Sequence, residues 1–328
     1  MRFRMQAAAV GGALLIALSS ALNAAEQQAF PTRPVRLIVA NTPGGAPDVV
    51  ARLVAIKLTE LWGQSIVVDN RPGATGLIAA EALARAAPDG YTLWLNTMTQ
   101  LIATLQAQRY MLATEFAPVS LVASTPFVIV VGAQLPVNTL AEWIAYAKAR
   151  PEETVYGSGG TWGSSHLCME SINKITGIRA THVPYKGAPQ VLNDIAGGRV
   201  HAYCPAAPSL PAFVQSGKIK ALAVTYLKPT PLAPGLPPVA DTIPGFQLLG
   251  WYGMQLPLKT PPELISRINA DLVKVLRMPE LQERLFAVGA EAVGSTPAEF
   301  QIFLNSETAR WDRLLRESGG IIVQKPAG

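Results

Sequence analysis

Short apolar runs alternate with segments of helical spacing along most of this chain. The first run, residues 35–40, ends at a glycine turn and is followed by a helical stretch over about 48–61. Further strand-like runs at 66–69 and 91–96 enclose an alanine-rich helical segment that extends to about Ala86. Strands that alternate with helices are typical of an α/β fold, so the sequence predicts such a fold with largely parallel strand pairing.

The order of the segments predicts two lobes. Two β-rich runs meet at Ser124-Thr125-Pro126, which suits a crossover to a second α/β unit, and the proline-rich segment 229–238 suits the return. A chain that crosses over and comes back places a cleft between its two units. The predicted divisions are a discontinuous first lobe of residues 26–124 plus 229–328 and a second lobe of residues 125–228.

The first 25 residues have the three-part pattern of a secretory signal. Arg2 and Arg4 form a basic start, residues 7–18 form a short apolar run, and small residues lead to Ala24 and Ala25. The apolar run is too short to span a bilayer, and no later run reaches the roughly 18–20 residues that a membrane helix needs. We predict cleavage near Ala24 or Ala25 and export to the periplasm.

The charge balance argues against a nucleic-acid partner. Only 15% of the 328 residues are charged and the formal net charge is +5. The basic residues are scattered and form no stripe with aromatic residues, which nucleic-acid binding would require. A mildly basic exported protein is better suited to a small anionic ligand.

Cys168 and Cys204 are the two cysteines of the chain. An oxidising compartment permits a disulfide between them. The alternative is that each is a small buried residue, since Cys168, Ile172 and Ile175 share one helical face. The sequence leaves both possibilities open, because pairing requires the two Cα atoms to lie within about 7 Å.

Two glycine-rich loops, residues 42–47 and 157–164, each precede a predicted helix. Such a loop offers backbone N–H donors and the positive end of a helix dipole, and both favour an anion. Neither loop has the lysine of a nucleotide-binding P-loop or the spacing of a dinucleotide fingerprint. Two loops that face each other across a cleft would suit the ends of a short carboxylate. The alternative is that they are only tight connections.

Nothing in the sequence supports catalysis well. Ser164-Ser165-His166 places hydroxyls beside an imidazole, but a nucleophile and its base must meet in space rather than in sequence. The G-x-S-x-G elbow of α/β-hydrolases is missing, and the three histidines lack the spacing of metal ligands. We predict no enzyme activity, no metal and no cofactor, and keep an exported hydrolase that uses this triplet as the alternative.

Distinctive motifs run nearly end to end along the chain. They include PTRPVRLIV at 31–39, PGGAPD at 43–48, VVDNRPGATG at 67–76, AAPDGYTL at 86–93, EFAPVSLVA at 115–123, YGSGGTWGSSHL at 156–167, THVPYKG at 181–187, SGKIKALAVT at 216–225, PGF at 244–246, TPPELISRINADL at 260–272 and ARW at 309–311. In this order and spacing the chain resembles the periplasmic solute-binding proteins of tripartite tricarboxylate transporters, the Bug family.

The resemblance implies a type II-like periplasmic binding protein, a Venus flytrap of two lobes with two crossover strands. It implies that a small carboxylate is held by the first glycine loop, by the segment after the third strand, by the second glycine loop and by the segment after Cys204. It also implies delivery to a membrane permease, and we expect a monomer. The candidate ligand-binding residues are Thr42, Pro43, Gly44, Gly45, Ala46, Asp48, Thr97, Thr99, Gln100, Ser158, Thr161, Trp162, Ser164, Ser165, His166, Pro205 and Ala206.

The chain departs from the family pattern at a position where an ammonium group of the ligand would be bound. Family members commonly carry an acidic residue near Pro205 that can pair with a ligand ammonium, whereas Pro205-Ala206-Ala207 offers no charge. We therefore predict a carboxylate without an ammonium group, either a dicarboxylate or an aromatic acid. Trp162 would either stack on the ligand or cap the edge of its lobe. Presentation of the ligand to a membrane sensor kinase is an alternative role.

Overall fold

The structure is a computed structural model that describes residues 30–151 and 153–318. The predicted secretory signal, residues 1–25, lies outside the described residues. The strands are β1 (Val35–Val39), β2 (Ile66–Asn70), β3 (Thr92–Thr97), β4 (Phe116–Pro126), β5 (Val128–Gly132), β6 (Val155–Ser158), β7 (Thr181–Pro184), β8 (Ala202–Tyr203), β9 (Ile219–Val224), β10 (Leu249–Pro257) and β11 (Glu291–Ala292).

Helices connect most of these strands. They are α1 (Ala46–Trp62), α2 (Leu77–Ala84), α3 (Met98–Ala107), α4 (Leu140–Ala149), α5 (Ser164–Thr176), α6 (Ala188–Ala196), α7 (Pro211–Gln215), α8 (Pro262–Leu276), α9 (Pro279–Ala287) and α10 (Pro297–Ser318). In the described part of the chain, none of them combines the length and the apolar composition of a membrane span.

The strands form two sheets, each with its own layer of helices. The first sheet has the order β11-β4-β10-β3-β1-β2, and the second has the order β7-β6-β8-β5-β9. We call the first sheet with its helices lobe 1 and the second sheet with its helices lobe 2. The predicted α/β fold with two lobes is confirmed.

The prediction of largely parallel pairing is wrong for the strands that join the lobes. β1 pairs in parallel with β2 and β3, and β6 pairs in parallel with β7 and β8. β10, however, is antiparallel to both β3 and β4. The chain leaves lobe 1 along β4 and returns to it along β10, so these two strands run in opposite directions. In lobe 2, β5 is antiparallel to β8 and β9 for the same reason.

A single residue, Phe127, separates the end of β4 in lobe 1 from the start of β5 in lobe 2. The second connection, which follows β9, is hydrogen-bonded to Phe127, because Thr225 donates its backbone N–H to the Phe127 carbonyl at 3.0 Å. Thr225 Oγ1 in turn accepts the Phe127 N–H at 3.0 Å. The two connections between the lobes are therefore joined to each other.

The core consists of large apolar side chains on both faces of each sheet. Trp94, Phe116 and Trp311 are fully buried in lobe 1, and Trp143 and Tyr156 are fully buried in lobe 2. Complete burial of an apolar side chain such as that of Phe116 contributes about 1.5–3 kcal/mol to folding. These cores make each lobe a firm support for the loops at the cleft.

A disulfide joins Cys168 in α5 to Cys204 just after β8. Of the two possibilities that the sequence left open, the structure shows the bond. It closes a chain separation of 36 residues, and a loop of that size corresponds to roughly 3–4 kcal/mol of stabilisation in the chain-entropy account. The disulfide fixes the helix that begins at the second glycine loop to the strand edge beside it.

Candidate functional site

A cavity lies between the two lobes, at the ends of the strands where the helices begin. Its volume is about 70 Å³. Among the residues that the structure describes, no Asp, Glu, Lys, Arg or His lines it. The lining residues are Asn41, Gly45, Ala46, Pro47, Thr97, Met98, Thr99, Thr125, Phe127, Gly159, Gly163, Ser164, Ser165, Ala188, Tyr203, Ala206, Ser209, Gly250, Trp251 and Tyr252.

The first glycine loop brings the start of α1 to the cavity. Gly45 is the N-cap residue and supplies no side chain to the helix end, while Ala46 and Pro47 form its first positions. The first-turn N–H groups of a helix have no acceptor within the helix. The start of α1 therefore presents free donors and a positive dipole end to the cavity.

Asp48 lies beneath this loop and does not line the cavity. Its carboxylate accepts hydrogen bonds from the Gly44 N–H, from Arg52 Nε and from Asn70 Nδ2, each at 2.9 Å. Burial raises the pKa of Asp48, but the bonds from Arg52, Gly44 and Asn70 outweigh burial and hold the pKa below its usual value. Because Asn70 also donates to the Asn41 carbonyl at 3.0 Å, this network braces both ends of the first loop.

The segment after β3 forms another part of the cavity wall. Thr97 is the N-cap of α3 and accepts the Thr99 N–H at 3.2 Å, while Gln100 Oε1 accepts the Thr97 N–H at 2.9 Å. This reciprocal capping holds Gln100 out of the cavity and leaves Thr97 and Thr99 on its lining. Thr99 Oγ1 reaches across the cleft to Ser164 Oγ, 2.8 Å away.

The second glycine loop brings the start of α5 to the cavity from lobe 2. Gly163 is the N-cap residue without a side-chain cap, and Ser164 and Ser165 follow it on the lining. Ser165 Oγ accepts the Gly159 N–H at 3.1 Å. This helix end therefore mirrors the start of α1 on the opposite lobe, with two hydroxyls added.

The histidines lie behind the second loop. His166 Nδ1 accepts the Trp162 N–H at 3.0 Å, and the His166 ring stacks on His182 with 4.0 Å between ring centroids. His182 Nε2 lies 2.7 Å from Ser158 Oγ. Burial lowers the pKa of both imidazoles, and with His166 alongside the pKa of His182 falls to about 4. Both rings are therefore neutral at pH 7.

The Ser164-Ser165-His166 triplet is not assembled as a nucleophile with its base. The Ser164 hydroxyl pairs with Thr99, and the Ser165 hydroxyl accepts from Gly159. His166 uses its Nδ1 for the Trp162 N–H. In the part of the chain that the structure describes, no hydrogen bond joins His166 to either serine.

A third uncapped helix end, which the sequence reading missed, lies beside these two. α6 begins after Gly187 without a side-chain cap, and Ala188 lines the cavity. A Cβ on Gly187 would lie 2.1 Å from Thr42 Oγ1 of the first loop, so glycine permits the two lobes to meet there. The sequence carries a usable signal, because Gly-Ala-Pro occurs at 187–189 just as it does at 45–47.

Four aromatic residues form part of the cavity lining, and the sequence analysis did not predict them. Phe127 comes from the link between β4 and β5, Tyr203 comes from β8, and Trp251 and Tyr252 come from β10. Burial raises the pKa of both phenols, so each remains a protonated donor. An apolar ligand body would find its surface here.

The structure places the predicted site residues in two groups. Those that line the cavity are Gly45, Ala46, Thr97, Thr99, Ser164, Ser165 and Ala206. Those that lie behind or beside the lining are Thr42, Pro43, Gly44, Asp48, Gln100, Ser158, Thr161, Trp162, His166 and Pro205. Trp162 leans edge-on against His166 and is 44% exposed at the outer side of the loop.

Residues 50–320 match the tripartite tricarboxylate transporter family receptor. The chain belongs to this receptor family. Among solved relatives, Rpa4515 of R. palustris with adipate is 35% identical, with a TM-score of 0.83 over 88% of this chain and 98% of that chain. The periplasmic binding protein BugD is 31% identical, with a TM-score of 0.84 over 90% of this chain and 100% of that chain.

A third relative of this receptor family also carries a carboxylate. MatC of Rhodopseudomonas palustris with bound malate is 27% identical, with a TM-score of 0.82 over 87% of this chain and 100% of that chain. The predicted Bug-family membership is confirmed. The chain thus has the fold of periplasmic receptors whose solved members include carboxylate complexes.

Proposed function

We propose that this protein captures a small carboxylate without an ammonium group in the cavity between its lobes and delivers it to the membrane permease of a tripartite tricarboxylate transporter. A dicarboxylate or an aromatic acid is the proposed ligand. The protein acts in the periplasm after export through residues 1–25, and it acts as a monomer without a cofactor.

One observation carries this proposal. The three helices α1, α5 and α6 all begin at the cavity, and each has a glycine N-cap, at Gly45, Gly163 and Gly187, that supplies no capping side chain. In α5 the Ser164 N–H donates to Thr99 Oγ1 at 3.3 Å. The positive dipole ends of the three helices favour negative charge at the cavity, as do first-turn N–H groups that lack an acceptor within their helix. A carboxylate accepts such bonds without a cationic partner.

The lining also argues against an amino acid as ligand. A buried ammonium requires acceptors and, as a rule, a paired negative charge. Among the described residues no Asp or Glu lines the cavity, and Pro205-Ala206-Ala207 carries no charge. An amino acid would therefore lose the hydration of its ammonium without compensation.

The aromatic wall supports a ligand with an apolar body. Phe127 and Trp251 line the same cavity as the starts of the three helices, so a ligand whose carboxylate binds at a helix end would find an apolar surface for the rest of its body. The adipate of the Rpa4515 complex and the malate of the MatC complex are both dicarboxylates without an ammonium group. They are the first ligands to test.

Thermal shift followed by titration calorimetry tests the proposal. The panel contains adipate, malate, benzoate, aspartate and glutamate. We expect at least one of the three acids without an ammonium group to raise the melting temperature, as ligand linkage requires, and aspartate and glutamate to have no effect at the same concentrations. Tight binding of aspartate or glutamate would contradict the ligand class, and no response to any carboxylate would contradict the function.

An activity assay separates a receptor from the alternative of a hydrolase. We expect no turnover of short-chain carboxylic esters by the wild-type protein. Ester hydrolysis that is lost in Ser164→Ala but retained in Ser266→Ala, a variant of an exposed serine on α8, would favour the hydrolase.

A further inference from the structure

Two loops with unusual backbone conformations face each other at the mouth of the cleft. In lobe 1, Ala74 and Thr75 have φ angles of 47° and 52°, between two glycines that also have positive φ. In lobe 2, Trp162 has a φ angle of 63°. Left-handed conformations are costly for residues with a Cβ, and they persist where the surrounding structure holds them. Residues with strained backbone conformations therefore lie on both sides of the gap between these two loops.

A hydrogen bond crosses this gap. Thr75 Oγ1 donates to the Thr161 carbonyl at 3.2 Å. Thr75 approaches two glycines of the lobe 2 loop, where a Cβ on Gly160 would be in van der Waals contact with Thr75 Oγ1 at 3.6 Å and a Cβ on Gly163 with Thr75 Cγ2 at 3.8 Å. Thr75 therefore packs against both glycines of the opposite lobe while it makes the bond.

The loop that carries Thr75 is held firmly by its own lobe. A Cβ on Gly76 would lie 2.4 Å from Gln100 Cγ, so the loop is pressed against that side chain. Gln100 is itself fixed by its hydrogen bonds to the backbone and hydroxyl of Thr97, at 2.9 and 2.8 Å. Any movement of Thr75 relative to Thr161 is therefore movement of one lobe relative to the other.

Thr75 does not line the cavity. We propose that residues 73–76 form a closure latch, in which the Thr75 hydroxyl bonds the Thr161 carbonyl and holds the lobes together over any ligand in the cavity. Thr75 is thus a positioning residue for ligand capture and not a ligand contact. The latch rests on the proposed carboxylate capture and adds to it a control of ligand release.

Because the latch contacts the lobes and not the ligand, its loss must affect all ligands alike. A single neutral hydrogen bond is worth about 0.5–1.5 kcal/mol net. We expect Thr75→Ala to increase the dissociation rate of adipate and of malate by about three- to tenfold, with the same factor for both ligands. Stopped-flow displacement, monitored by tryptophan fluorescence, measures these rates.

Two variants control the experiment. Thr75→Ser keeps the hydroxyl, so its release rates should lie within about twofold of the wild-type rates. Ser266→Ala removes a hydroxyl that donates to a backbone carbonyl within lobe 1, that of Pro262 at 2.9 Å, and should leave the rates unchanged. Wild-type release rates in Thr75→Ala, or a change for only one of the two ligands, would overturn the latch.

Failure of the proposed function has a different signature. If the wild-type protein binds neither adipate nor malate, these two acids are not its ligands. The latch is then tested by the distance between the lobes. Spin labels on cysteines introduced at Ile56 and Ile175, which are 44% and 39% exposed on α1 and α5, report that distance. Thr75→Ala must lower the population with the shorter distance, and equal populations would overturn the latch.

Discussion

The hydroxyl oxygens of Thr99 in lobe 1 and Ser164 in lobe 2 lie 2.8 Å apart across the cleft. Thr99→Val keeps the shape of the side chain but removes this bond, the acceptor of the Ser164 N–H at 3.3 Å and one hydroxyl of the cavity lining. We expect the affinity for adipate to fall at least tenfold, since a hydrogen-bond partner left unpaired costs about 1–3 kcal/mol. Titration calorimetry measures it. Thr114→Val, on an exposed turn of the same lobe, is the control, and an affinity within twofold of wild type would contradict the role of Thr99.

Gly187 allows the start of α6 to approach Thr42. Its φ of 170° is extended, so alanine is compatible with the backbone, yet a Cβ would lie 2.1 Å from Thr42 Oγ1. Because the clash is between lobes, we expect Gly187→Ala to fold normally and to bind ligand at least tenfold more weakly. Thr42→Gly should restore most of the affinity in the double variant. Equal affinity of Gly187→Ala and wild type would show that closure does not require this contact.

Asp48 supports the first loop from below. Asp48→Asn places a side-chain NH₂ among the donors of Arg52 and Asn70, and we expect the free energy of unfolding at pH 7 to fall by about 2 kcal/mol. Because the folded-state pKa of Asp48 is lowered, its stabilisation is present above the usual carboxyl pKa and is lost as pH falls through the folded-state pKa. Urea unfolding at several pH values should show the difference between the variant and wild type shrink below about pH 4. A difference that stays constant would contradict this account.

His182 makes the second loop sensitive to acid. Its pKa of about 4 in the folded state lies below the usual 6.5, because burial and the neighbouring His166 oppose its charge. The unfolded chain therefore binds more protons between those values, and stability should fall as pH is lowered from 6.5 toward 4. We expect His182→Gln to remove about 1–2 kcal/mol of that decline. Unfolding curves from pH 7.5 to pH 4 test this, and an unchanged decline in the variant would exclude His182 as its source.

Local sequence predicted the parts of the molecule that depend on local rules. The two glycine loops precede helices because glycine permits the turn and the following residues have helical spacing, and the structure places α1 and α5 there. Proline at the first helical position likewise marks the starts of α8, α9 and α10, at Pro262, Pro279 and Pro297. Such features need no knowledge of distant residues.

The parts that the sequence did not predict depend on contacts between distant segments. The aromatic wall of the cavity combines Phe127, Tyr203 and Trp251, which come together only when both connections between the lobes are in place. The position of the Asp48 carboxylate, off the lining of the cavity, is set by its hydrogen bonds from Asn70 and Arg52. The antiparallel direction of β10 likewise follows from the return of the chain and not from its own residues.

Phe127 is the single residue between β4 and β5, and it also lines the cavity. In the proposed capture, a ligand that touches Phe127 would act on the short connection about which the lobes would turn. Near a pivot the lever arm is short, so a small difference in ligand width becomes a larger displacement at the far edge, where Thr75 meets Thr161. In the proposed capture, the width of the ligand would set the angle between the two lobes. The degree of closure would then determine which ligands the protein retains.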